Sequence, residues 1–516
     1  MTSLFFYILL FCIQFLSILG YGILYEKIVN INKRNILNND IAITYILGLV
    51  ATSIIAIFVG FFIPINNLVS IIFLLVGSII FFLFYKNSSI TLDINFIVKV
   101  IIIAFLTIFF IFATEYNNDF NPYHLQYLQA MKEGGSITNF EAYNRRTIFN
   151  PNILAINSIL WIKEINVTMF FLNGALLFSI ITTFLEKLII KIRTKEISII
   201  GLYYLFTLLF LIAGFRNYKD FGTDYQAHLI IIFLIGIYLE FIENNTQIKE
   251  NKIHFFLIFL QLIIFAIILK ITSALLILFL FYFILKNNFL KKDNLKYLIN
   301  ISIVSLPLFL WIIQNIFISK CLVYPIPFLC FSEKVSAASE EMYFIEVYAK
   351  GMGDTWNYKR EEILENLKEF RWIKIWYENH FYKIRTFFGV FFVLTLLPPL
   401  FIYSKKKNRI KINNNFKKNI SQLVNIDYLS ILIVFLLSTI FWFFFSPSLR
   451  FGLSYLIIIS ICIMTPFWQV TLKDNKNYFF GCSVFILISA FSIFLYSNLE
   501  KILVFLEQKN NFWPEL

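Results

Sequence analysis

The chain has 516 residues, of which 59% are hydrophobic and 15% are charged, and its formal net charge is +13. A soluble domain could not bury so large an apolar fraction, so the composition indicates a polytopic membrane protein. The positive charge does not indicate nucleic-acid binding, because Lys and Arg are concentrated in short connectors between apolar runs, as the positive-inside rule describes.

Fourteen apolar runs are long enough to cross or nearly cross a bilayer. They lie near residues 3–25, 41–62, 68–85, 97–113, 168–187, 198–214, 225–243, 253–269, 273–286, 298–319, 387–404, 429–446, 451–470 and 478–498. We therefore expect an all-α integral membrane protein. Its fold would be a polytopic bundle of about 14 transmembrane helices, with amphipathic interfacial helices in the extracytoplasmic loops.

Four basic clusters orient this bundle. They follow the first, fifth, ninth and eleventh runs and contain Lys27, Lys33 and Arg34; Lys187, Lys191, Arg193 and Lys195; Lys291, Lys292 and Lys296; and Lys405, Lys406, Lys407, Arg409, Lys411, Lys417 and Lys418. All four share the cytoplasmic face if both termini are outside. The first run lacks a basic leader and a small-residue cleavage site, so we expect it to be retained as a helix.

This orientation divides the chain into five parts. They are N-terminal transmembrane helices (1–113), a first outer loop of catalytic type with interfacial helices (114–167), a transmembrane core (168–319), a large outer loop (320–386) and C-terminal transmembrane helices (387–516). The connectors 215–224 and 446–450 face outward as well. Any chemistry is therefore expected on the extracytoplasmic side.

The first outer loop is rich in ionisable groups. They include Glu115, Asp119, His124, Glu141, Arg145 and Arg146. Charges beside a bilayer are costly to desolvate, so this loop is a hypothesis for a functional site. Asn121 and Pro122 suit a helix start and Gly134 a helix stop, which predicts a short amphipathic helix at the membrane surface.

Several motifs carry a resemblance to known enzymes. Asp119 to Leu125 combines an acidic residue just after a span with Tyr-His-Leu, and Asn144 to Asn150 adds a basic pair followed by Phe-Asn. This pattern is similar to the first outer loop of C-type (GT-C) glycosyltransferases, and closest to an uncharacterised bacterial family of multi-spanning proteins in or near that group. Further segments that look like that family are residues 219–224, 321–325 with Cys330, and 447–452.

The chain departs from the usual C-type pattern in two ways. About four spans precede the acidic loop, whereas one is usual. The paired acidic residues are Glu115 and Asp119, separated by three residues. The identity of the base and the involvement of a metal therefore stay open.

The resemblance implies an inverting transfer of a sugar from a polyprenyl-phosphate carrier to an envelope glycan or lipid acceptor. Asp119 is the first candidate for the base, Glu115 is the second, and His124 belongs to the same catalytic group. The candidates for substrate and phosphate binding are Arg145, Arg146, Asn150, Lys219, Asp220, Asp224, Tyr324 and Arg450. The implied partners are these substrates and membrane lipids, without nucleic acid. The resemblance defines no certain cofactor, and a divalent metal on the carboxylates is an open alternative. The expected location is the bacterial cytoplasmic (inner) membrane.

Each candidate has a structural alternative. Asp119 could cap the following helix, and the loop arginines could snorkel to lipid headgroups. Lys270, between two apolar runs, could snorkel or contact the carrier phosphate. Cys321 and Cys330 bracket eight residues of the large outer loop, where an oxidising compartment would permit a disulfide. The aromatic residues after Arg371 favour anchoring at the interface over stacking on a sugar.

Other function classes stay open at this point. An oligosaccharide polymerase or ligase for lipid-linked glycans would depend on His380 and loop arginines, with Asp119 dispensable. A transporter or flippase would carry charges deep in its spans and a two-half symmetry, and neither is clear here. A non-catalytic scaffold is the remaining alternative.

Overall fold

In the computed structural model the backbone is described for most of the chain. The described residues are 2–29, 40–87, 92–113, 120–137, 145–215, 222–243, 249–287, 297–331, 333–343, 361, 365–366, 370–406, 426–445, 447–472 and 476–507. They form helices, helical turns and two isolated β-bridges. The all-helical expectation is therefore met over these segments.

Seventeen α-helices lie in these segments, and we number them in chain order. They are α1 (Thr2–Ile28), α2 (Ile41–Phe62), α3 (Asn67–Phe84), α4 (Ile94–Ala113), α5 (Gln126–Gly134), α6 (Asn152–Leu160), α7 (Phe171–Arg193), α8 (Ile199–Ala213), α9 (Tyr225–Glu243), α10 (Lys249–Leu269), α11 (Leu276–Asn287), α12 (Leu298–Ser319), α13 (Glu333–Tyr343), α14 (Arg371–Lys406), α15 (Ile426–Phe445), α16 (Leu449–Leu472) and α17 (Lys476–Glu507).

Eleven of these helices are long and apolar enough to cross a membrane, which is the architecture of a polytopic helical membrane protein. The count is lower than the fourteen expected from the sequence. Helices α8 and α11 have 15 and 12 residues, and at 1.5 Å per residue both are shorter than the hydrocarbon core of about 30 Å. Helix α7 has 23 residues, but its second half carries Glu186, Lys187, Lys191 and Arg193.

Helices α1, α2 and α3 approach one another at glycines. A Cβ atom added to Gly20 would lie 2.0 Å from the carbonyl oxygen of Gly77, and one added to Gly48 would lie 2.0 Å from that of Ile18. Small residues allow such backbone contact between helices in a bilayer, where packing replaces the hydrophobic effect as the driving force. These glycines therefore fix the N-terminal helices against each other.

Polar contacts lie at both ends of α7 and α9. Near their starts, Gln226 donates to the side-chain oxygen of Asn173 at 2.6 Å. Near their ends, Lys187 contacts Glu240 at 2.8 Å and Asp40 at 2.9 Å. Gln226 and Glu240 are about 21 Å apart along α9 at 1.5 Å per residue. We call the end that contains Gln226 the first polar layer and the end that contains Glu240 the second polar layer.

The first outer loop packs into the protein. A π-helical turn, Phe120–Leu125, leads directly into α5, which ends at Gly134 before Gly135 with φ of 75°. The stop at these glycines agrees with the sequence. The apolar stripe of the helix is buried, because α5 packs on α6, whose nine residues are also all buried. The amphipathic face of α5 therefore meets protein, where the sequence suggested the membrane surface.

Candidate functional site

Three helix ends bring charged side chains together in the first polar layer. Asp224 directly precedes α9, Lys270 directly follows α10, and Arg450 is the second residue of α16. The ammonium group of Lys270 contacts Oδ1 of Asp224, and Nε of Arg450 lies 3.5 Å from Oδ2. We call these three residues the charge cluster.

The electrostatics of the charge cluster keep the carboxylate ionised. Burial by itself would raise the pKa of Asp224, but Lys270 and Arg450 outweigh it and lower the pKa to about 2. The side chain of Asp224 is 12% exposed, whereas that of Arg450 is 37% exposed. Two cations thus share one buried carboxylate, and the side chain of Arg450 is more exposed than that of Asp224.

Phe451 lies under both cations. Its ring centroid is 3.8 Å from the ammonium nitrogen of Lys270 and 5.0 Å from the guanidinium carbon of Arg450. An aromatic face attracts cations through its quadrupole. Phe451 therefore helps to hold the two positive groups side by side despite their repulsion.

The connector before Arg450 is fixed through its backbone. The indole N–H of Trp376 donates to the carbonyl of Pro447 at 2.5 Å, and that of Trp442 donates to the carbonyl of Ser448 at 2.8 Å. The carbonyl of Arg450 lies 2.7 Å from Nε2 of His228. These three partners belong to α14, α15 and α9.

The first outer loop is linked to the charge cluster through α7. Phe120 stacks on Phe170, with ring centroids 6.1 Å apart. Asn173, one turn after Phe170, accepts the hydrogen bond from Gln226, two residues after Asp224. The loop that carries the acidic candidates therefore packs on the start of α7, which in turn contacts the start of α9 beside the charge cluster.

Asn150 is the centre of a buried polar network. Its side-chain oxygen accepts a hydrogen bond from Tyr127 at 2.6 Å, and its amide donates to Gln314 at 3.1 Å and to Asn315 at 2.7 Å. Its carbonyl accepts from Trp311 at 2.9 Å. Asn150 was a candidate for substrate binding, but the structure uses both ends of its amide to attach the first outer loop to α12.

Tyr324 and the two loop cysteines form a separate small cluster. Cys321 and Cys330 are joined by a disulfide bond, and Tyr324 packs edge-on against Phe149 at 5.3 Å between ring centroids. Ile148 completes this cluster. Tyr324 is part of the disulfide-closed loop and thus joins it to the segment that follows Arg146.

The remaining candidates are only partly placed. His124 is buried, with its ring 4.6 Å from that of Tyr123. The backbone of Arg145 and Arg146 begins a 3₁₀ turn that packs on the segment containing His124, but their side chains lie outside the described residues. Glu115, Asp119, Lys219 and Asp220 also lie outside the described residues.

A metal site was an open alternative. Among the side chains that the structure describes, no group of three or more His, Cys, Asp or Glu could hold a metal ion. Asp119 and Glu115 are not among those side chains.

Sequence reasoning missed two contributions to this site. His228 lies inside an apolar helix, and a polar residue within a membrane span is itself a functional signal. Trp376 was expected to anchor the protein at the interface, and Trp442 lies in a predicted span. Nothing in the sequence indicates that the indole of Trp376 meets the connector before Arg450, because that contact joins residues 71 positions apart.

The family comparison covers most of the chain. A family model described as "Domain of unknown function (DUF8201)" matches residues 4–457, and the chain belongs to this family. No curated protein and no solved structure matches the chain significantly.

Proposed function

We propose that the protein is a membrane glycosyltransferase that transfers a sugar from a polyprenyl-phosphate carrier to an envelope glycan or lipid acceptor. The observation that carries the proposal is the charge cluster of Asp224, Lys270 and Arg450. It places two cations at the ends of membrane-spanning helices, where the phosphate of a lipid carrier would lie.

A polyprenyl phosphate requires a cationic site beside an apolar surface. Guanidinium groups bind phosphate oxygens bidentately, and an ammonium group adds a point charge. Helix α15 ends just before the connector to Arg450, and its last residues, Phe444 and Phe445, are 44% and 46% exposed. The apolar tail of the carrier would lie against such side chains while Lys270 and Arg450 bind its phosphate.

The low pKa of Asp224 assigns it a supporting role in this reaction. A carboxylate with a pKa of about 2 is a weak base near neutral pH. Asp224 therefore positions the two cations, and the base remains Asp119, with Glu115 as the second candidate and His124 nearby.

The proposed reaction is a single inverting displacement. The base removes the proton of an acceptor hydroxyl, and the hydroxyl oxygen forms a bond to the anomeric carbon as the bond to the carrier phosphate breaks. The leaving phosphate keeps the bonding electron pair, and Lys270 and Arg450 stabilise its charge. The ionised carboxylates of the first outer loop stabilise the oxocarbenium character of the transition state.

The proposed orientation places the charge cluster on the extracytoplasmic side of the bacterial cytoplasmic membrane. Lys187 and Lys191, from one of the four basic clusters, lie in the second polar layer, which the positive-inside rule assigns to the cytoplasm. Helix α7 runs from Asn173 in the first layer to Lys187 in the second. We therefore count α7, with the shorter α8 and α11, among fourteen crossing segments.

The proposal is tested in cells that lack the gene. Complementing plasmids would encode the wild-type protein, Asp119→Asn, Arg450→Ala or the control Lys99→Gln, which alters an exposed pair with Glu186 in the second layer. Mass spectrometry should show loss of one envelope glycan and accumulation of its carrier-linked sugar with the first two variants only. Unchanged glycans with stably inserted Asp119→Asn and Arg450→Ala proteins would refute the proposal.

A further inference from the structure

We infer that Trp376, Trp442 and His228 are positioning residues that hold the backbone of Arg450, so that its guanidinium group is aimed at an anionic lipid phosphate. The inference rests on the proposed function for the identity of the anion. We call these three residues the connector clamp.

The connector clamp acts on three carbonyls within four residues. The Nε1–H groups of Trp376 and Trp442 donate to the carbonyls of Pro447 and Ser448, and the imidazole of His228 contacts the carbonyl of Arg450. A carbonyl oxygen is a hydrogen-bond acceptor only. Each contact therefore fixes the position of one peptide unit of the connector.

The tautomer of His228 follows from its two partners. Nε2 faces the carbonyl of Arg450 at 2.7 Å, so this nitrogen carries the hydrogen. Nδ1 lies 2.8 Å from the hydroxyl oxygen of Ser454 and accepts the hydroxyl hydrogen. The hydroxyl of Ser454, which is fully buried, thereby keeps His228 in the tautomer that donates to the carbonyl of Arg450.

Both ends of Arg450 are held at the start of α9. Its carbonyl binds His228, and its guanidinium faces Asp224, which precedes α9 and lies four residues before His228. The other two donors come from α14 and α15, so three helices locate the connector. A Cβ atom on Gly452 would lie 2.3 Å from the indole of Trp442, which shows how closely the ring meets this backbone.

Such a clamp raises affinity by pre-organisation. A guanidinium on a fixed backbone loses less conformational freedom on binding than one on a mobile loop. Because a neutral hydrogen bond contributes a net 0.5–1.5 kcal/mol, loss of one contact of the clamp should weaken phosphate binding by about 2- to 10-fold.

The test measures binding of farnesyl phosphate to the full-length protein in nanodiscs, with farnesol as the uncharged control ligand and inorganic phosphate as the lipid-free one. Trp376→Phe removes the N–H and keeps a ring against Phe443, whose centroid lies 5.0 Å away. Ser454→Ala removes the hydroxyl that orients His228, and Ser454→Thr restores it. Arg450→Ala removes the guanidinium group that would bind the phosphate.

The expected result is that Trp376→Phe and Ser454→Ala bind farnesyl phosphate about 2- to 10-fold more weakly. Ser454→Thr should bind like the wild-type protein, farnesol binding should not change, and inorganic phosphate should compete only weakly. If Trp376→Phe does not fold, the comparison of Ser454→Ala with Ser454→Thr tests the connector clamp. If Arg450→Ala weakens binding while Ser454→Ala and Trp376→Phe do not, the connector clamp is wrong and the proposed function stands. If Arg450→Ala binds like the wild-type protein, both are overturned.

Discussion

Replacing Asp224 with Asn should destabilise the protein, because it leaves Lys270 and Arg450 close together without their shared carboxylate. Asn has nearly the same shape as Asp, so packing is preserved and the change is mainly one of charge. The folded protein lowers the pKa of Asp224 from its ordinary value of 3.8 to about 2. Its contribution to stability is therefore fully present above about pH 4 and is lost as the pH falls toward 2.

The size of the effect follows from that difference in pKa. At about 1.4 kcal/mol per tenfold change in proton affinity, the ionised form contributes about 2 kcal/mol at neutral pH. Removal of one member of a fully buried pair costs about 3–5 kcal/mol. We expect a loss of about 2 kcal/mol, because the side chains of Lys270 and Arg450 are 19% and 37% exposed and water screens their charges in part.

The assay is thermal unfolding in nanodiscs at pH 7, followed with a thiol-reactive fluorescent dye. Cys462 and Cys482 are free and buried, so they react as the helices separate. Asp224→Asn should lower the midpoint by about 2 °C. Lys270→Met and the double variant complete a double-mutant cycle, and the double variant should recover part of the loss because it removes the uncompensated ammonium group.

Two outcomes would contradict this reasoning. A midpoint for Asp224→Asn equal to that of the wild-type protein would show that the carboxylate does not stabilise the folded state. Strict additivity of Asp224→Asn and Lys270→Met in the cycle would show that the two charges do not interact, and the charge cluster would then carry no electrostatic coupling.

Three further predictions concern other parts of the molecule. Gly452→Ala should destabilise the protein by about 1–3 kcal/mol because its Cβ meets the indole of Trp442, and a second change, Trp442→Phe, should relieve part of the clash in the same unfolding assay. Burial lowers the pKa of Lys132 to about 7, so the unfolded chain binds one more proton than the folded chain between about pH 7 and 10.5. The stability of the wild-type protein should therefore rise from pH 6 to 8.5 by more than the stability of Lys132→Met does. Equal changes in stability for the two proteins would refute this. The disulfide closes a loop with a sequence separation of 9, so Cys321→Ser should lower the free energy of unfolding by up to about 3 kcal/mol. If the loop is extracytoplasmic, mass-tag labelling of denatured cell extracts should find Cys321 and Cys330 oxidised.

The sequence by itself determined the class of the fold. Apolar runs of span length can be identified one at a time, because each needs only its own composition to be stable in lipid. Helix lengths were less predictable: the helix in the run 198–214, α8, has only 15 residues, because composition does not show where a helix ends. The helix stop at Gly134 and Gly135 was predictable, because a glycine that adopts positive φ, here Gly135, is a local requirement.

The candidate site could be identified only from the sequence and the tertiary structure together. Arg450 and Asp224 stood out in the sequence as charges beside spans, and Lys270 was noted as a connector residue. Only the tertiary structure decided that these three meet, because they are separated by 46 positions or more along the chain and no local pattern encodes their pairing. The same holds for His228 and the carbonyl of Arg450, which are 222 positions apart. Local composition sets which segments enter the bilayer, whereas helix packing sets which of their ends share one site.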